Sequence, residues 1–129
     1  MWPSVATLSP YDQGEAAAFP LDNPTGFVEQ AAMTHYLLTY DLAPDYLDRR
    51  PGFRDAHLAL AWQAADRGTL LLGGAVGDPV ESALLLFNDA NAARGFAEAD
   101  PYVRERLVRG WRVLPWTTVV GEDAATPVR

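Results

Sequence analysis

Two side chains stand out as able to move a proton together: His57 and Asp100. His57 shares a helical stripe with Phe53, Leu60 and Ala64, which points its ring toward a sheet and away from water. A half-buried imidazole needs a partner for any ring nitrogen that carries a proton. Asp100 lies in the run Ala99-Asp100-Pro101-Tyr102-Val103, where aspartate followed by proline suits a helix start. Two readings stay open for each residue. His57 is either a core histidine satisfied by one hydrogen bond or a general acid/base. Asp100 is either a helix cap alone or also the carboxylate that orients the imidazole, since a carboxylate has several acceptor sites.

Other side chains could build a pocket around this pair. Arg54 lies three residues before His57, on the neighbouring helix surface, and could meet a substrate anion. Tyr102 adjoins Asp100. Gly73 and Gly74 break an apolar run and permit close approach of a ligand, or a bulge. Trp116 could add an aromatic wall. The glycines match no phosphate-binding loop, so no nucleotide is inferred. Ser82 is the only serine after residue 33, and its context does not resemble an activated nucleophile.

Composition excludes several chemistries. The 129 residues contain no cysteine, which removes disulfides, thiolate catalysis and cysteine-held metal clusters. With two histidines, no metal site is expected, and no cofactor. All ten basic residues are arginine, so lysine Schiff-base chemistry is excluded. The net charge of −7 argues against a nucleic-acid partner. No apolar run approaches the ~20 residues of a membrane span, and no secretory signal is evident. The expected location is the cytoplasm.

The elements that must hold the pair follow from periodicity and punctuation. Residues 1–32 carry four prolines, four acids and no basic residue, and show no sustained period. They read as an irregular or disordered extension, with the domain spanning 33–121 and a polar tail over 122–129. Whether the extension is a tail or precedes a true start at Met33 stays open. Strands are expected at His35–Asp41, Thr69–Val76, Glu81–Phe87 and Gly110–Val120, with Pro115 marking an edge position or a bulge. Helices are expected at Pro51–Arg67, Asp89–Glu98 and roughly Pro101–Leu107, with Pro44 and Asp45–Arg50 as a loop. The order is the βαββαβ of an α+β ferredoxin-like fold, a four-stranded antiparallel sheet with helices on one face. Strands two and three are apolar on both faces, which calls for cover on the second face and predicts a homodimer through the sheet. Leu71, Ala75, Leu85 and their same-face neighbours are the expected contacts, with the identity of the two faces left open.

One resemblance follows. The YLLTYD strand, the helix with Arg54-Asp55-Ala56-His57-Leu58, the GTLLLGG segment from Gly68 and the FAEADPYV run at Phe96–Val103 resemble the YCII-related (YciI-like) family of the dimeric α+β barrel superfamily. The likeness covers Met33 to about Val119. It implies a dimer with two sheets packed face to face and an active site near a His–Asp pair, at His57 and Asp100 here. The family's activities are largely undefined, and some relatives act in aromatic breakdown, including dehydrochlorination. The connection at Gly77–Val80 is shorter than in many members, so the substrate does not carry over. The implied function is a small-molecule enzyme working by elimination, isomerisation or dehydrochlorination. The alternative is a non-catalytic module that binds a small ligand or a partner, with a structural His–Asp pair.

Overall fold

The computed structural model describes residues 34–129; the expected extension over 1–32 lies outside the described residues. These fall into two units, 34–117 and 118–129, each taken by itself. The first unit holds all the regular elements: β1 (Tyr36–Leu42), α1 (Tyr46–Asp66), β2 (Leu70–Val76), β3 (Ser82–Phe87), α2 (Ala90–Ala99), α3 (Pro101–Arg104) and β4 (Val108–Pro115). All strand pairs are antiparallel and the sheet order is β2-β3-β1-β4, which is the ferredoxin-like arrangement. Among the described residues no helix is long and apolar enough to cross a membrane.

The core lies between one sheet face and the helices. Leu38 and Tyr40 of β1, Ala83, Leu85 and Phe87 of β3, and Ala93, Phe96 and Ala97 of α2 are all buried there. Their period of 2 in the strands, and the Ala93/Phe96/Ala97 spacing in α2, are what a one-sided sheet under helices requires. α2 starts at Asp89, whose carboxylate accepts the Ala92 N–H at 2.9 Å. Gly77 turns β2 into β3 at φ +98°, where a Cβ would meet the Pro79 carbonyl oxygen at 2.8 Å. Pro115 ends the edge strand β4, opposite Tyr36, which is the first of the two readings, edge or bulge, that its place in the strand allowed.

Three expectations are corrected. α1 begins at Tyr46, one turn and more before Pro51, so 45–50 is not a loop. Pro51 lies inside the helix at the cost of one backbone hydrogen bond, and Tyr46 is buried in the core, so tertiary packing outweighs the local signal. The last strand stops at Pro115, where β1 runs out as a partner, and does not reach Val120. Within 118–129 the chain is hydrogen bonded: Thr118 accepts from Ala125 and Thr126, and Val119 from Val128. Finally, Leu85 (4% exposed) is packed under the helices, and Ala75 pairs with Ala83 on that same face, so these two do not lie on the open side. The open side carries Leu37, Leu72, Leu84, Leu86 and Leu114.

Candidate active site

Asp100 occupies the junction of α2 and α3 and is completely buried. Its backbone is extended, so α2 ends and α3 starts at one residue; Pro101 then opens the next turn. Its carboxylate accepts three hydrogen bonds. The Tyr102 N–H donates to Oδ1 at 3.0 Å, the usual cap contact. The Tyr40 hydroxyl donates to Oδ2 at 2.6 Å, within the short range of charge-assisted bonds. His57 Nδ1 lies 2.9 Å from Oδ1. A buried carboxylate with three donors is satisfied as the anion, which is the condition for burying it at all. Asp100 therefore caps α3 and also lies within hydrogen-bonding distance of the imidazole.

A proton on Nδ1, donated to the Asp100 carboxylate, would leave Nε2 of the imidazole as an acceptor on the other side of the ring. The ring is clamped. It stacks on Tyr102 with centroids 3.9 Å apart and 6° between planes, and Phe96 meets it edge-on at 6.1 Å. The side chain is 15% exposed, buried enough to be fixed and open enough to be reached. It faces a cavity of about 380 Å³ between α1 and β2. Asp100 lies behind the imidazole and does not line this cavity.

Of the residues expected around the pair, Arg54, Tyr102, Gly73 and Gly74 all line the cavity with His57. The two glycines differ. A Cβ on Gly73 would lie 3.3 Å from Leu85 Cγ, whereas one on Gly74 would meet nothing within 4 Å. Gly73 faces the core side of the sheet, and β2 keeps a low wall there. Trp116 is not brought to the site. It follows β4 beside His35, with ring centroids 6.3 Å apart, at the other end of β1 from Tyr40. The last strand ends before it, so its distance along the sheet was hidden in the longer expected strand.

Three contributors were not read from the sequence: Tyr40, Tyr46 and Arg50. Tyr40 shares the buried face of β1 with Leu38, and a buried tyrosine hydroxyl needs a partner; that pairing was a usable signal. Burial, then the Asp100 charge and hydrogen bond, pushes the Tyr40 hydroxyl far above its ordinary pKa. Tyr46 and Arg50 were missed because their segment read as loop. Arg50 extends its guanidinium over the Tyr46 ring, 5.6 Å from the centroid. Among the described residues, no group of three or more His, Cys, Asp or Glu side chains could hold a metal ion.

No family model and no curated protein matches the sequence. A solved structure does resemble this one: 5-chloro-2-hydroxyhydroquinone dehydrochlorinase from Burkholderia phenoliruptrix AC1100, in complex with 2,5-dihydroxybenzoquinone. The match has a TM-score of 0.54 and 20% identity, over 65% of this chain and 94% of that one. At that identity the likeness establishes a shared fold.

Proposed function

We propose that this chain is a YCII-related enzyme that removes a proton from a small ring substrate through His57, with Asp100 and Tyr40 holding the base in register. The observation that carries the reading is the layered order of the site: cavity, then His57, then the buried Asp100 with three donors. A structural pair would need no cavity in front of it. In the proposed elimination, the chlorinated ring first takes its keto form, a hydroxyl proton moving to the chlorine-bearing carbon; Nε2 then takes a proton from a remaining hydroxyl, the O–H pair becomes a C=O, the adjacent C=C shifts toward the chlorine-bearing carbon, and chloride leaves with the C–Cl pair. The net change is loss of HCl, with no oxidant or reductant. Asp100 stabilises the imidazolium that forms. The fold-level neighbour named for dehydrochlorination supports this choice among proton-abstraction reactions.

The working unit is proposed to be a homodimer in the cytoplasm, joined through the open leucine face of the sheet. The test is chloride release from a chlorinated hydroxyhydroquinone by wild type, His57→Ala and Asp100→Asn. Release by wild type that is abolished in His57→Ala is the expected result. No release by wild type, or undiminished release by His57→Ala, overturns the reading.

A further inference from the structure

We propose that Arg50 and Arg54 form an anion subsite beside His57, completed by the Tyr102 hydroxyl, that takes a carboxylate or ionised phenol oxygen of a planar single-ring substrate. The proposal rests on reading the cavity as a substrate site and adds which charge the substrate carries and where. Arg50 and Arg54 are four residues apart on α1, so both guanidiniums belong to the helix face that walls the cavity. Among the described residues neither meets a carboxylate. The ion pairs among the described residues are His57–Asp100 and Arg109–Asp41. This occurs in a chain with 17 acidic residues and a net charge of −7, where counter-ions are plentiful. Like charges at this helical spacing repel each other, and an anion between them removes that cost.

Neighbouring Arg49 shows what a structural arginine does in this helix. It donates to the Glu105 carbonyl at 2.9 Å and lies over Phe53. Arg50 instead rests on the Tyr46 ring and keeps its donors for the cavity. Tyr46 in turn meets Tyr102 edge-on at 5.6 Å, so these rings position the cation in advance.

The second observation is independent of the arginines. The Tyr102 hydroxyl is buried, with the residue 2% exposed, and has no hydrogen-bond partner among the described residues. Such an orphan is costly unless a ligand supplies the missing acceptor. Tyr102 lines the same cavity as Arg50 and Arg54. An oxyanion placed among the three groups would satisfy all of them. The rest of the cavity suits a ring: Leu58, Trp62 and the flat backbone of Gly73 and Gly74 line it, and about 380 Å³ is in the range of small-ligand sites.

The experiment is binding of 2,5-dihydroxybenzoate and of its neutral amide to the full chain, by calorimetry at low salt. The acid is expected to bind about 10-fold tighter than the amide, or more. Arg50→Gln and Arg54→Gln should each erase that preference while keeping the amide affinity, which also reports that they fold. Tyr102→Phe should weaken the acid and raise the melting temperature of the ligand-free protein. Equal binding of acid and amide, no binding of the acid, or an intact preference in both arginine variants overturns the subsite. The outcome is separable from the catalytic reading. Arginine-dependent acid binding without chloride release keeps the subsite and rejects the catalysis. Turnover that needs His57 without any acid preference does the reverse.

Discussion

Asp100 joins three parts of the structure through one carboxylate: the α2–α3 junction, the α1 imidazole and the β1 tyrosine. Asp100→Asn keeps the shape but removes the charge that, in the proposed reaction, would stabilise an imidazolium. Turnover should fall about 100-fold or more, the usual worth of a positioned general base, with the fold retained by circular dichroism. Tyr40 gives a pH prediction. Its hydroxyl is held above the ordinary tyrosine pKa of 10.0, first by burial and then by Asp100, so the folded chain keeps a proton that the unfolded chain releases. Tyr102 is raised for the same leading reason, burial, with Tyr46 next. Above that pH the native state binds more protons than the unfolded state, so stability falls as pH rises. The contribution is fully present below pH 10 and is lost above it. Denaturant titrations across that range should show the decline, and Tyr40→Phe should make it shallower; an unchanged slope would remove Tyr40 from this account.

At the scale of elements, most of the fold was legible, and the reasons for the misses are local. The start of α2 near Asp89, the Asp100-Pro101 helix start and the irregular or edge character of Pro115 rest on short-range chemistry, and short-range chemistry is what a sequence displays. The start of α1 was hidden because Pro51 looks like a first-turn residue, while burial of Tyr46, a tertiary effect, extends the helix backward. That error removed Arg50 and Tyr46 from the site. The sheet faces were ambiguous for a different reason. β2 shifts register between Leu70 and Leu72, so Leu70 opposes Phe87 on the core side while Leu72 opposes Leu86 on the open side. One extra residue reverses every later side chain, and an all-apolar strand gives no alternation to reveal it. Pro51 also makes a stability prediction. Inside α1 it lacks the N–H that would reach the Leu47 carbonyl, so Pro51→Ala should stabilise the chain, by at most ~3 kcal/mol. Chemical denaturation measures this, and a loss of stability would mean that the ring makes packing contacts worth more than the bond.

For the whole molecule, the open face of the sheet sets the expectation. Its leucines come from all four strands: Leu72 of β2, Leu84 and Leu86 of β3, Leu37 of β1 and Leu114 of β4. Leu72 is 72% exposed, and Leu84 and Leu114 are 37% and 38% exposed. An apolar sheet face that is continuous across strands is what an isologous dimer buries, because each copy offers the same patch to the other. The chain should sediment as a dimer at micromolar concentration. Leu84 is the informative position, since it lies on β3, an interior strand, and points away from the core. Leu84→Glu leaves a solvated carboxylate in a monomer but forces two desolvated charges toward each other in the dimer. The variant should therefore sediment as a folded monomer, with its helix-side core and the His57–Asp100 bond unchanged. Its melting temperature should also lose the dependence on protein concentration that dimerisation confers on the wild type. Wild type that is monomeric at micromolar concentration, or Leu84→Glu that still dimerises, would place the interface elsewhere and leave the leucine face without a partner copy.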